Sequence, residues 1–264
     1  MIEFQDVSRS YGDKVAVRRL DLSIPRGQLF SLLGHNGAGK TTSIKMLVGL
    51  LRPGSGRITV GGHDVVKDTR EASQLIGYVP DQPFLYEKLS GREFLRFVAE
   101  MHGLSPAAVN EGIDREIERF ALAPFIDDLT ESYSHGMKQR TVFASALLHK
   151  PSVLVVDEPM VGLDPQSIRM VKDLLRTETA AGLAVLMSTH TLTAAEEISD
   201  SIGVMNHGRL IFHGSVEQLQ ARCSREHATL ETLYLELLSH GGADQSPEVD
   251  SSTLSAGATR ATDQ

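Results

Sequence analysis

The apolar positions of this chain change their period as the chain proceeds. Residues 1–7 set Ile2 and Phe4 two apart, with Val7 out of phase, and predict a short strand. After a turn at Tyr11-Gly12, Val15, Val17, Leu20, Leu22 and Ile24 supply further strand positions. Pro25-Arg26-Gly27 is a turn, and the apolar run over 29–33 predicts a strand that feeds a glycine-rich loop. The spacing then becomes helical over 44–51 and stops at Pro53-Gly-Ser-Gly56. Residues 57–60 predict a short strand, 69–74 a short helix and 76–79 another strand.

From 84 to 150 no clear strand pattern remains, and the stretch reads as an inserted helical subdomain. Ser90-Gly-Arg-Glu93 is a capping box opening an amphipathic helix with Phe94, Leu95, Phe97, Val98 and Met101. Ser105-Pro106 starts the next helix, whose apolar side is Ile113, Ile117 and Phe120. Ser132 to Arg140 leads into an apolar helix over 142–148. Four branched apolar residues at 153–156 predict a fully buried parallel strand, and 184–188 predicts another. Thr193-x-x-Glu196 predicts a capped helix, and 201–206 with 209–212 a hairpin about His207-Gly208. Residues 216–240 form a helical extension; Leu230, Leu233, Leu235, Leu237 and Leu238 are a face that docks on a partner or on the chain itself. The last stretch, 241–264, has almost no large apolar residue and is expected to be disordered.

Composition narrows the class. A chain of 264 residues with 41% hydrophobic content can form one large α/β domain with a subdomain. Its 26 basic residues against 34 acidic ones, net −8, make it a poor general binder of nucleic acid. One cysteine, Cys223, allows no internal disulfide and fits a reducing compartment. No apolar run reaches the ~18 residues of a membrane span, and the N-terminus carries no signal-peptide pattern. The chain is expected to be soluble, with any membrane role exerted through a partner.

The chemistry gathers around Gly34-His35-Asn36-Gly37-Ala38-Gly39-Lys40-Thr41-Thr42. This is a phosphate-binding loop, G-x-x-x-x-G-K-[ST], between strand and helix. Its glycines let successive N–H groups face phosphate oxygens, and the helix N-terminus adds positive potential. Lys40 is expected at the β- and γ-phosphates and the Thr41 hydroxyl on Mg2+. Asp157 and Glu158 end a buried strand, at the sheet edge where open α/β sheets bind ligands. Asp157 has the place of a magnesium carboxylate and Glu158 that of a general base for water. His190 ends the 184–188 strand on the same edge. Ser134 and Gly136 offer a second anion site or merely a helix cap, and Tyr11 an adenine platform or merely a turn aromatic.

The motif order resembles the nucleotide-binding subunit of an ATP-binding-cassette (ABC) transporter over residues 1–214. Tyr11 matches the A-loop aromatic, 34–42 Walker A, and Pro80-Asp81-Gln82-Pro83 the Q-loop. Ser134-His-Gly136-Met matches the signature loop, 153–158 Walker B with its glutamate, Gly162-Leu-Asp164 the D-loop, and His190 the switch histidine. The resemblance implies a P-loop NTPase (RecA-like) core with a mainly parallel sheet, an N-terminal antiparallel β subdomain and an inserted helical subdomain, together residues 1–215. It implies ATP hydrolysis with Mg2+ in a head-to-tail dimer with a second copy or a paralogue. Ser134 and Gly136 would close on the other subunit's ATP. It further implies a separate membrane permease, an export role, and a peripheral position on the cytoplasmic face of the membrane; no nucleic acid is expected.

Three motifs depart from the pattern. His135 and Met137 stand where glycine and glutamine are usual, and His35 where proline is frequent. The Q-loop glutamine aligns with Asp81, and Gln82 comes one residue late; both are candidate metal contacts. Two other readings stand beside the transporter. A soluble ABC ATPase acting on a ribosome, DNA or protein assembly is disfavoured by the single Walker A and the acidic balance. A cassette that binds ATP without hydrolysing it is disfavoured by Lys40, Asp157, Glu158 and His190.

Overall fold

The computed structural model describes residues 1–225 and 228–241. In chain order these are β1 (Ile2–Tyr11), β2 (Lys14–Ile24), β3 (Leu29–Leu33), α1 (Lys40–Leu47), β4 (Ser55–Val60) and β5 (His63–Asp64). Then come α2 (Thr69–Gln74), β6 (Ile76–Val79), α3 (Gly91–Met101), α4 (Pro106–Arg119), α5 (His135–Leu147), β7 (Val153–Asp157) and α6 (Pro165–Ala180). The chain closes with β8 (Ala184–Thr189), α7 (Leu192–Ile198), β9 (Ser201–Asn206), β10 (Arg209–Gly214), α8 (Val216–Arg222) and α9 (Leu230–Gly241).

Two sheets carry the fold. One has the order β10-β9-β3-β8-β7-β6, parallel except for the β9–β10 hairpin. The other, β2-β1-β4-β5, is antiparallel. This is the expected division into a parallel core and an N-terminal β subdomain. β3 lies inside the parallel sheet, with Leu33 beside Thr189 and Asp157 beside Ser188. That register brings the loop after β3, the end of β7 and the end of β8 to one edge.

The first strand is longer than its apolar pattern suggests. β1 pairs with β2 on one side and β4 on the other, and the pairing shifts around Val7. The shift is a bulge, with Asp6 at φ 49°, and it returns the out-of-phase Val7 to the core. At α7 the expectation is corrected: the helix begins at Leu192 after Thr191, so Thr193 lies in its first turn and does not cap it. Glu196 bonds elsewhere, accepting the Leu230 backbone N–H of α9 at 3.2 Å.

The helical stretch shares its core with the sheet. Phe94, Leu95, Ile113, Phe120 and Phe143 form one apolar cluster with Leu154, Val156 and Val185. α5 lies directly on β6, where a Cβ at Gly77 would stand 2.3 Å from the Ala146 carbonyl oxygen. Both expected caps form: Ser90 and Glu93 make a full capping box, and Ser105 caps α4.

The leucine-rich helix docks on its own chain. Leu230, Leu233, Tyr234 and Leu237 pack against Leu33, Ala195, Ile202, Val204, Phe212 and Leu219. Leu235 points outward, 60% exposed. Of the stretch expected to be disordered, Gly241 ends α9 and 242–264 lie outside the described residues.

Candidate functional site

β3 ends at Leu33, and the chain curls through Gly34–Gly39 into α1. Gly39 has φ +114°, and a Cβ there would meet the Ala16 carbonyl oxygen at 2.5 Å and Met205 Cε at 2.8 Å. Only glycine fits. The β9–β10 turn braces the loop from outside. Gly208 N–H donates to the Ala38 carbonyl at 2.9 Å, and Asn206 Oδ1 lies 3.2 Å from His35 Nε2.

Lys40 opens α1 and is 5% exposed. Its ammonium donates to the Gly34 carbonyl at 2.6 Å and more weakly to that of His35 at 3.4 Å. It also stands 3.6 Å from Glu158 Oε1. An ammonium held this deep inside a glycine-rich loop suits a polyanion.

Asp157 is fully buried at the end of β7. The Ser188 hydroxyl bonds its carboxylate. Burial pushes its pKa up, the Ser188 hydrogen bond opposes this, nearby Asp81 adds to the rise, and the Thr41 hydroxyl lowers it. Its Oδ2 is buried without a hydrogen-bond partner. A buried carboxylate oxygen with no donor, beside a threonine hydroxyl, fits a divalent cation. Among the described residues no group of three or more His, Cys, Asp or Glu side chains could hold a metal. The donors here are one carboxylate and one hydroxyl, the sparse set of a cation that shares its shell with phosphate and water.

Glu158 follows with φ 50°, a left-handed conformation that is costly for a residue with a side chain. Its N–H is fixed by the Ser188 carbonyl and hydroxyl, each at 3.1 Å. The kink points its carboxylate toward His190, whose backbone N–H and Nδ1 lie 3.2 and 2.9 Å from Oε2. Lys40, Glu158 and His190 thus form one chain of contacts across three elements.

Lys40 and Glu158 border an open hollow of about 310 Å³. Tyr11, Lys14, His35, Lys40, Asp81 and Glu158 are among its walls. Tyr11 is half-exposed, with the Arg9 guanidinium 5.4 Å from its ring centre. Asp81 faces the hollow, whereas Gln82 is exposed outside it and spends its N–H on Asp81 Oδ1 at 2.9 Å. Ser134 and Gly136 do not reach this hollow. They sit at the start of α5, where Ser134 accepts the Met137 N–H at 3.3 Å. Asp164 caps α6, accepting from Gln166 and Ser167 at 2.9 and 3.0 Å.

Sequence reading missed several contributors. Ser188 is a polar residue within an apolar strand run, a signal in plain view. Buried Gln139 donates to the Pro159 carbonyl at 3.3 Å and ties α5 to the segment after Glu158. Asn206 and Lys14 offered no signal.

A second surface lies apart from the hollow. Phe84, Tyr86, Phe97 and Met101 are exposed, Phe84 by 70% and Met101 by 73%. Tyr86 meets Phe84 and Phe97 edge-on at 5.7 and 5.5 Å. Beside them a groove of about 240 Å³ runs between Leu50, Tyr78, Val98 and the stacked rings of His102 and His149, 3.7 Å apart.

The family model described as ABC transporter matches residues 17–161. A linearmycin resistance ATP-binding protein, LnrL, of Bacillus subtilis (strain 168) is 37% identical over 225 residues, 85% of this chain and 71% of the relative. A daunorubicin resistance ATP-binding protein, DrrA3, of Streptomyces coeruleorubidus is 39% identical over 220 residues, 83% of this chain and 70% of the relative. A solved ATP-binding subunit of an ABC transporter superposes with a TM-score of 0.85 at 32% identity, covering 90% of this chain and 99% of that one.

Proposed function

The chain belongs to the ABC transporter family as an ATP-binding, ATP-hydrolysing subunit, and from that premise we propose which residues run its cycle and what the cycle drives. The observation that carries the proposal is the Glu158 carboxylate, held between Lys40 and His190 at the lip of the phosphate loop.

The loop amides of 34–42 and Lys40 bind the β- and γ-phosphates, and Tyr11 stacks on the adenine. Thr41 and Asp157 would hold Mg2+, which would neutralise phosphate charge, and Asp81 faces the same hollow. Glu158 takes the proton from the attacking water, while His190 orients its carboxylate and faces the γ-phosphate. Lys40 stabilises the charge of the transferring group. Catalysis here is position and electrostatics, as phosphoryl transfer requires.

Ser134 and Gly136 are not among the hollow's walls. They serve the ATP of a second cassette, a copy or a paralogue, in a head-to-tail dimer. Closure of that dimer moves the helical region as a body. The exposed aromatic surface of α3 and its groove receive a cytoplasmic helix of a separate permease, in the helix-in-groove mode. Among the described residues no helix is long and apolar enough to cross a membrane, so that partner supplies the pore. The chain then works peripherally, at the cytoplasmic face. The names of the drug-resistance relatives support outward movement of a small molecule.

The test is affinity purification of the tagged chain from detergent-solubilised membranes of its host, read by mass spectrometry. A polytopic membrane protein recovered near one-to-one is expected. Recovery with soluble complexes alone would contradict the transporter reading and favour a cassette acting on a soluble assembly.

A further inference from the structure

Glu158 holds a backbone conformation that its own side chain disfavours, and contacts on both sides keep it there. At φ 50° it sits in the left-handed region, which persists only where the surroundings over-determine it. On its N-terminal side the carbonyl and hydroxyl of Ser188 hold its N–H. On its C-terminal side the Glu158 carbonyl accepts the Val161 N–H at 3.3 Å, closing a turn with Pro159 in second place. Proline has a fixed φ and no N–H. The Pro159 carbonyl is therefore the backbone group by which that residue can be held, and it accepts Gln139 Nε2 at 3.3 Å.

Gln139 comes to this turn from another part of the fold. It lies on α5 and is 4% exposed, so its amide is committed to the interior. Met160 of the turn belongs to the same apolar cluster as Val142 and Phe143 of α5, and Met137 and Leu163 pack against that cluster. His135, the first residue of α5, covers the end of the segment: a Cβ at Gly162 would stand 3.5 Å from its Nε2. α5 is thus seated along the whole stretch after Glu158, with Gln139 as a buried polar tie. We propose that Gln139 is a positioning residue for hydrolysis: its amide holds the Pro159 carbonyl and so keeps the Glu158 carboxylate between Lys40 and His190. The role rests on the reading of Glu158 as the general base. Ser134 caps the same helix and Gly136 lies in its first turn, so the position of α5 governs the base as well as these two residues.

Gln139→Met keeps the length of the side chain and removes its donor. Turnover of the full chain at saturating ATP and magnesium is expected to fall about three- to tenfold, the weight of one hydrogen bond. ATP affinity should change by less than about twofold, because Gln139 is not among the walls of the hollow. In the Glu158→Gln background the same change is expected to alter the residual turnover by less than about twofold, the signature of two residues acting as one. Gln139→Glu supplies a conditional donor: the protonated acid can donate to the Pro159 carbonyl, and the carboxylate cannot. Its turnover, relative to the unmutated chain at the same pH, should recover as pH falls from about 8.5 to about 6, since burial raises a carboxyl pKa. That profile reads the bond even if the methionine variant fails to fold. An equal loss of turnover in both backgrounds, a matching loss of ATP affinity, or a Gln139→Glu deficit that does not change with pH would overturn the role of Gln139 alone. A Glu158→Gln chain that keeps its turnover within about threefold would overturn the base assignment and this role with it.

Discussion

Nδ1 of His190 lies 2.9 Å from Oε2 of Glu158, while the other oxygen of the same carboxylate stands 3.6 Å from Nζ of Lys40. The glutamate is thus oriented from one side and electrostatically paired from the other. Replacing it by glutamine keeps the shape and removes the base. Glu158→Gln is expected to lower the ATP turnover rate about 10²- to 10⁴-fold, the usual worth of a general base. His190→Ala releases the orienting contact and should cost at least tenfold. Phosphate release under saturating ATP measures both, and a loss under threefold in Glu158→Gln would remove the base assignment.

Stability should fall as the solution is acidified from neutrality. Burial pushes the His149 pKa down to about 4, and stacked His102 adds to the shift; burial lowers His102 as well. The native state keeps these rings neutral, while the unfolded chain protonates them near the ordinary 6.5. Between those values the unfolded state binds more protons, so stability declines as pH falls through that window. Urea midpoints at pH 7.5 and 5 read the slope. His149→Gln can still donate to the Ile76 carbonyl, now bonded to His149 Nε2 at 3.1 Å, but does not titrate, so its slope should be flatter. An identical slope would locate the dependence elsewhere.

Glu116 of α4 is fully buried, with Arg115 Nε at 2.7 Å and the guanidinium of Arg119 at 3.8 Å. Burial pushes its pKa up against these partners. Arg115→Met leaves that carboxylate short of its closest donor and should cost about 3 kcal/mol, in the range for breaking a buried pair. Glu116→Gln removes the charge itself and should cost less. Thermal unfolding compares the two, and the reverse order would mean that the arginine contributes little.

How much of this was legible beforehand divides along the range of the interactions. The phosphate loop, the carboxylates ending β7 and the histidine ending β8 are written in local order, because strand, turn and helix signals flank each one. The bulge at Val7 was visible only as a broken alternation. The five leucines of α9 could not say which would find a partner; Leu237 is buried and Leu235 exposed because only one side of that helix meets α7. Gln139 on Pro159 and Leu230 on Glu196 join residues far apart in sequence, and no local pattern announces such pairs. Thr193 resembled a cap because its spacing to Glu196 fits, but the turn after His190 places Thr191 first.

The exposed aromatic surface should carry coupling and leave hydrolysis alone. Phe84→Arg and Met101→Glu lie outside the hollow and are expected to keep basal ATP hydrolysis within about twofold, as surface changes away from a site do. Both should reduce recovery of the membrane partner in the pull-down severalfold. Loss of hydrolysis together with recovery would make this surface part of the fold's support.

The composite site is the centre of the account, since Ser134 and Gly136 stand away from the hollow that holds Lys40 and Glu158. Sedimentation velocity of the full-length Glu158→Gln chain with saturating ATP and magnesium tests it most directly. The expected result is a shift from monomer to dimer that vanishes without nucleotide and in the Glu158→Gln, Ser134→Arg double variant. A chain that binds ATP and still sediments as a monomer would contradict closure between two cassettes.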